Sequence, residues 1–432
     1  MPCGAGSGAA PARQQQVPKA VSFVESIIHE ALPRHPCGLH LHRQRHPTRR
    51  LTTHPHPSTI AWPDPLRGQA FDTWLRAAGA AHGLLPASLR SASSDASFRR
   101  YFRIDGNTCG KAGGGAVRSF IVMDAPPALE DVRPFVTVSA MLLAAGLNAP
   151  QVLAQDPAQG FLLLTDLGSE LYLDTLQDAQ RRADLPAADT LMRDALHALV
   201  QWQTRADASA LPAYDDALLR RELALFPDWC VTRELCVIWS PADQAVWADT
   251  CDLLVRSALA QPVVAVHRDY MPRNLMVCRD AAVEIDRTRG RNIDLTGRPC
   301  NPGILDFQDA VRGPVSYDLA SLLRDAFISW DEEQEIDWAV RYWQAARQAG
   351  LAVPDDFGEF WRQVEWMGLQ RHLKVLGIFC RLKHRDNKPK YSEDLPRFFA
   401  YAHKVASRYN ALRPFSRLLE PLMGVTRVEG FY

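Results

Sequence analysis

The chain has 432 residues, 47% of them hydrophobic, and its 49 basic and 49 acidic side chains cancel to a formal charge of zero. This length suffices for two or three structural units around a large core. The balance lacks the basic excess expected of a nucleic-acid or membrane-surface protein. No apolar run is long enough to span a bilayer. The nine cysteines contain no C-x-x-C pair and read as thiols in a reducing cytoplasm, not as a disulfide frame or zinc site.

Residues 1–60 differ from the rest. They hold seven of the 13 histidines and only two acids, Glu25 and Glu30. A metal-binding tract and an organelle leader are conceivable readings. The favoured one is an extension without packed structure, because it has too little apolar surface to offset its ordering entropy.

Helical spacing begins at Trp62 and runs to Leu85, with Leu66, Phe71, Trp74, Leu75 and Ala78 on one side. Ser91 to Ser97 is a turn of small and hydroxyl residues. Ser94, Asp95 and Ser97 are candidates for a loop whose backbone N–H groups meet nucleotide phosphates, with a solvated turn as the alternative. Phe98 to Ile104 and Ser119 to Met123 form a predicted hairpin. Its tip contains Gly110-Lys111, which is no P-loop, since Ala112 stands where Ser or Thr must hold a metal.

A helix is predicted from Val132 to Ala145 and a strand at Gln151 to Leu153. The run Phe161 to Leu164 then breaks into Thr165-Asp166-Leu167-Gly168. Thr165 and Leu167 are therefore either a linker where adenine meets the backbone or a plain strand end. Beyond Leu171 helical spacing dominates. Helices are expected at Thr190 to Trp202, Ala242 to Leu259, Tyr317 to Phe327, Glu335 to Ala349, Phe360 to Arg381 and Pro396 to Tyr409, with an extended loop over 278–301.

The chemistry concentrates at Val263 to Val277, where His267, Asp269 and Asn274 lie between two short apolar runs. A second acidic strand follows at Gly303 to Asp309. A carboxylate at the end of a buried strand needs a compensating charge. Two carboxylates and an amide oxygen make a hard-oxygen site suited to Mg2+. The spacing His267-x-Asp269-x4-Asn274, then Asp306, fits phosphoryl transfer: Asp269 orients the attacking hydroxyl, while Asn274 and Asp306 hold metal on the nucleotide phosphates. His267 and Asp318 read as structural supports of this loop. Arg268 is a charge partner or a loop residue, and Asp309 a supporting group.

These motifs, with Gly313 to Ala320, resemble the aminoglycoside phosphotransferase/choline kinase-like superfamily over roughly residues 65–420. The resemblance implies an α+β, protein-kinase-like bilobal fold with a small β-rich N-lobe and a larger helical C-lobe. The lobes would be 61–168, binding nucleotide, and 169–432, binding sugar and carrying catalysis. Ser94 to Tyr101, Met123 to Pro127, His267 to Asn274 and Leu305 to Ala310 are similar to one branch, the anomeric N-acetylmuramate/N-acetylglucosamine kinases of bacterial cell-wall recycling. That branch implies ATP and Mg2+ as cofactors, an amino sugar as acceptor, a sugar 1-phosphate as product, and neither nucleic acid nor membrane as partner.

One departure stands out. The strand Lys that usually contacts nucleotide phosphates, and its helix Glu, are both absent: Ile121-Val122-Met123 has no Lys and Phe135 to Leu143 no Glu. Mg2+, backbone N–H groups and Arg99 or Arg100 are left to meet the phosphate charge. For the sugar, Gln370, Lys374, Gly377 and Arg381 share one helical stripe, and Trp229 offers a stacking ring. Two rivals are a kinase for another small alcohol or aminoglycoside and a nucleotide-binding pseudokinase.

Overall fold

The computed structural model describes residues 60–93, 98–107, 117–278, 284–286, 291–293 and 301–424. The fold is α+β with two lobes. The chain enters through α1 (Pro65–Gly79), whose first turn is capped by Asp64 accepting from the Leu66 N–H at 2.9 Å. The predicted helix extended to Leu85, but α1 ends at Gly79 and a short turn reaches a left-handed Gly83.

Five antiparallel strands follow: β1 (Arg90–Ser93), β2 (Arg100–Asn107), β3 (Val117–Asp124), β4 (Val152–Asp156) and β5 (Phe161–Thr165), in spatial order β1-β2-β3-β5-β4. Alternation along each strand sends side chains to opposite faces. Phe102, Ile104, Phe120, Val122, Phe161 and Leu163 pack under Phe71 and Leu75 of α1. Met123, Leu162 and Leu164 face the other way, onto Phe135, Val138 and Leu142 of α2 (Arg133–Ala144). Burial on both faces explains why β5 reads as an uninterrupted apolar run.

The C-terminal part contains α3 (Tyr172–Arg181), α4 (Leu185–Arg205), α5 (Asp216–Leu223), a π-helical segment (Phe226–Glu234) and α6 (Pro241–Leu259). The strands β6 (Val263–Val266), β7 (Leu275–Met276), β8 (Glu284–Asp286), β9 (Arg291–Ile293), β10 (Gly303–Ile304) and β11 (Val311–Pro314) follow. The chain then runs through α7 (Tyr317–Leu323), α8 (Glu332–Gln348), α9 (Phe357–Asp386), α10 (Leu395–Arg408) and α11 (Arg413–Leu422). α7 stops four residues short of its predicted end at Phe327. The 30-residue α9, about 45 Å at 1.5 Å per residue, is buried along most of its length. Among the described residues, no helix is long and apolar enough to cross a membrane.

Candidate active site

Two short ribbons place the polar residues. β6 pairs antiparallel with β11, Val266 opposite Val311, and β7 pairs with β10, Leu275 opposite Ile304. The loop 267–274 therefore leaves one ribbon and enters the other, and the segment after β10 returns beside it. Gly303 permits this approach. A Cβ there would lie 2.8 Å from Cys278 Sγ and 3.0 Å from Leu167 Cδ1, so no larger residue fits between β7 and the linker.

The loop is held from below by Asp318, the second residue of α7. Its carboxylate accepts the His267 N–H at 2.7 Å and the Arg268 N–H at 3.0 Å. Burial pushes the Asp318 carboxyl up to about 7 despite these two bonds. His267 stays neutral because burial drives its pKa down to about 3. Its Nε2 lies 3.0 Å from the Leu305 carbonyl, and its Nδ1 is 3.3 Å from the Asp269 N–H. A carbonyl only accepts, so Nε2 carries the proton and Nδ1 accepts. His267 thereby ties the Asp269 loop to the Asp306 strand. The Tyr270 hydroxyl donates to the Ala195 carbonyl of α4 at 2.8 Å. Arg268 and Asp306 both adopt left-handed backbone, with φ of 75° and 63°. Non-glycine residues hold that conformation only where surrounding bonds over-determine it. At Arg268 these bonds include the Arg371 Nη1 donation to the Arg268 carbonyl at 3.0 Å.

Asn274 donates its Nδ2 to the Asp269 carbonyl at 2.8 Å, and the Leu305 N–H donates to the Asn274 carbonyl at 2.9 Å. Asp306 accepts from Gln308 Nε2 at 2.8 Å through one oxygen. Its other oxygen, and Asp269 Oδ2, are enclosed without a hydrogen-bond partner. Burial pushes the Asp269 carboxyl up, countered in part by Lys374, Arg268 and Arg371. Burial and the nearby Asp269 charge push Asp306 well above the carboxylate range. Two enclosed, orphaned carboxylate oxygens beside an amide are a site short of positive charge. Among the described residues, no group of three or more His, Cys, Asp or Glu side chains forms a metal cage. The donors present instead suit Mg2+, which commonly takes one or two carboxylates and completes its shell with phosphates and water.

Behind Asp269 lies a buried polar cluster. Glu222 of α5 contacts Arg268 Nη2 at 2.6 Å and Lys374 Nζ at 2.9 Å, and it accepts from Gln370 Nε2 at 3.2 Å and from the Tyr214 hydroxyl. Burial opposes its ionisation, but Lys374 and Arg268 prevail and pull the carboxyl down to about 2. The expected polar stripe of α9 thus divides. Gln370 and Lys374 are buried in this cluster, whereas Arg381 lies seven residues past Lys374, about 10 Å further along the helix. Trp229 has the Arg233 guanidinium 4.4 Å from its ring centre, so one of the faces expected to stack on a sugar is covered. Arg371, which that stripe did not include, joins Lys374 as a second α9 cation whose charge acts on Asp269.

On the nucleotide side, Ser94, Asp95 and Ser97 lie outside the described residues. Thr165 closes β5, its hydroxyl accepting the Gln151 N–H at 2.8 Å. Leu167 touches β10 as described above. The residue between them, Asp166, is gripped by Arg103 at 2.5 and 3.0 Å, and Arg103 also donates to the Gly168 carbonyl at 2.6 Å. Sequence reasoning missed this clasp on the linker, because a strand Arg and an acid 63 residues away carry no local signal. Arg100 turns away from the site. It donates to the buried Asp124 at 2.9 Å and lies 4.0 Å over the Trp62 ring, which removes it as a phosphate candidate.

The fold and this constellation define a phosphotransferase. The chain belongs to the phosphotransferase enzyme family, whose model matches residues 88–286 and 288–357. It is similar to the N-acetylmuramate/N-acetylglucosamine kinase of Pseudomonas aeruginosa, 49% identical over 78% of this chain and 89% of that protein. The kinases of the same name from Neisseria meningitidis and Caulobacter vibrioides are 43% and 31% identical, over 79% and 74% of this chain and 92% and 88% of theirs. A GDP complex of an aminoglycoside 2'-phosphotransferase-IIIa mutant shares the fold at a TM-score of 0.51 and 13% identity, covering 80% of this chain and 99% of that one.

Proposed function

We propose that the chain is an ATP-dependent kinase that phosphorylates the anomeric hydroxyl of N-acetylmuramate, N-acetylglucosamine or both. The observation that carries this reading is the pair of enclosed, unpartnered oxygens on Asp269 and Asp306, one for a hydroxyl proton and one for a cation. The names of the three relatives supply the acceptor.

In the step we envisage, the sugar C1 oxygen attacks the γ-phosphorus. The new O–P bond forms as the bond from that phosphorus to the bridging oxygen breaks, and ADP leaves with the electron pair. The hydroxyl proton passes to Asp269, whose raised pKa suits a late acceptor. Asn274 and Asp306 are the side chains that would hold Mg2+, which when bound offsets the charge of the phosphate oxygens. Ser94, Asp95, Ser97 and Arg99 would meet the phosphates, and Thr165 and Leu167 the adenine, so 61–168 serves the nucleotide. Residues 169–432 would hold the sugar, with Gln370, Lys374 and Arg371 beneath Asp269. The cytosol, where ATP is held, is the compartment this requires.

The test is incubation with ATP, Mg2+ and a panel of sugars, followed by phosphorus NMR. The expected product carries phosphorus coupled to the anomeric proton. Absence of sugar-stimulated ATP consumption would refute the enzyme reading. Phosphate on another oxygen, or turnover only with choline or an aminoglycoside, would refute the acceptor.

A further inference from the structure

β3, the strand where the resemblance expects the phosphate-binding Lys, has none, and its Met123 is fully buried among Phe135 and Leu164. The one cation of β3, Arg118, lies five residues before Met123 and so on the opposite face of the sheet, while under the kinase reading the nucleotide phosphates would add their charge to that of Asp269, Asp306 and Asp309. β2 places Tyr101 opposite Met123. Arg99 precedes Tyr101 by two residues, so strand alternation puts it on the same sheet face as Met123, the face turned toward α2.

There the Arg99 guanidinium meets Glu130, with Nη2 2.9 Å from Oε2 and side chains only 13% and 18% exposed. Glu130 is not on α2. It sits in the turn before it, where the N–H groups of Leu129 and Glu130 both donate to the Pro126 carbonyl at 2.9 Å. That turn leads directly into α2, and α2 reaches the metal strand: the ring of Phe135 is 4.7 Å from that of Phe307, the neighbour of Asp306. Burial opposes the Arg99 cation, and the charges that favour it are those of Tyr101 and Glu130 first, then Asp306 and Asp309. The neighbouring arginines are committed elsewhere, Arg100 to Asp124 and Arg103 to Asp166.

We propose that Arg99, positioned by Glu130, is the cation that contacts the nucleotide phosphates in place of the missing strand Lys. The proposal rests on the kinase reading above and names the ion pair that completes it. A strand-borne Lys paired with a helix Glu couples phosphate binding to helix position in kinases. Here the same coupling runs from the start of β2 through Glu130 to α2, and through Phe135 and Phe307 to Asp306. An arginine suits the task, because its planar fork can serve a carboxylate and a phosphate together.

Calorimetry with ADP·Mg2+, ATP and adenosine separates the outcomes. Arg99→Ala is expected to weaken ADP and ATP by about tenfold to a hundredfold, the scale of a lost charge-assisted bond, while leaving adenosine unchanged. Arg99→Lys should recover part of the loss. Glu130→Gln should fall between wild type and Arg99→Ala. Arg133→Ala, a substitution of an arginine 79% exposed, is the neutral control. Unchanged ADP affinity in Arg99→Ala, in a chain that phosphorylates sugar normally, overturns the proposal while leaving the kinase reading intact. Equal weakening of adenosine and ADP also overturns it, by making the pair structural. A wild-type chain that binds no ADP overturns both readings.

Discussion

Glu222→Gln tests the buried cluster behind Asp269. Glu222 is 6% exposed at its side chain and faces two cations, Arg268 at 2.6 Å and Lys374 at 2.9 Å. Its carboxyl moves from 4.5 to about 2 on folding. A shift of that size corresponds to about 3 kcal/mol of stability at neutral pH. The isosteric amide keeps the volume but leaves two interior cations sharing a neutral partner, a loss on the order of 3–5 kcal/mol. The variant should therefore unfold in urea with about 3 kcal/mol less stability at pH 7. Because the folded pKa is depressed, the carboxylate's contribution is present above the unfolded value of 4.5 and fades as pH falls toward 2. The deficit of the variant should shrink over that window. Lys374, released from Glu222, would also act more strongly on Asp269 and move the acid limb of the kcat profile to lower pH. A deficit below about 1 kcal/mol, or one that stays constant down to pH 2.5, would refute the reasoning.

Three further substitutions probe the supports. Asp318 carries a raised pKa of about 7, so its ionisation costs folded stability as pH rises toward and through that value. The stability of Asp318→Asn relative to wild type should increase from pH 4 to 8 in paired urea titrations, while kcat falls because the Asp269 loop loses a charged anchor. His267 and His372 are both held neutral by burial, with pKa values near 3. Each should therefore take up a proton on unfolding between pH 3 and 6.5, so stability rises with pH there. His372→Gln should lower the slope of unfolding free energy by about 1.4 kcal/mol per pH unit in that window. Gly377→Ala places a Cβ 2.4 Å from the Leu225 backbone carbon. Backbone cannot yield as a flexible side chain does, so the overpacking should outweigh the helix-propensity gain and lower stability by about 1–3 kcal/mol in a thermal melt.

The legible parts of this chain were those with local signals. The apolar alternation of β2 and β3, the uninterrupted β5 and the spacing of Asp269, Asn274 and Asp306 were all visible without coordinates. So was the structural role of His267 and Asp318, because a buried loop needs bonds for its N–H groups. Long-range pairing was not visible. Glu130 carries no helical signal, because the acid lies in the turn before α2 and not on the helix. The spacing of α9 predicts one polar face, but a helix buried along most of its length has no solvent side. Lys374 is shared between Asp269 and Glu222, an acid on α5 that no periodicity connects to it, and Arg371 braces the Arg268 carbonyl. α3, α5 and α11 went unmarked because short helices carry few turns of pattern. Arg100 was separated from Arg99 only by strand alternation, which sends adjacent residues to opposite faces of the sheet.

The most direct measurement of the central claim is single-turnover phosphoryl transfer by Asp269→Asn beside its affinity for ADP·Mg2+. If Asp269 orients the acceptor hydroxyl and takes its proton, the rate should fall by about a thousandfold or more while nucleotide affinity and the melting curve stay close to wild type. A rate within tenfold of wild type would contradict the account and move the proton acceptor to another residue.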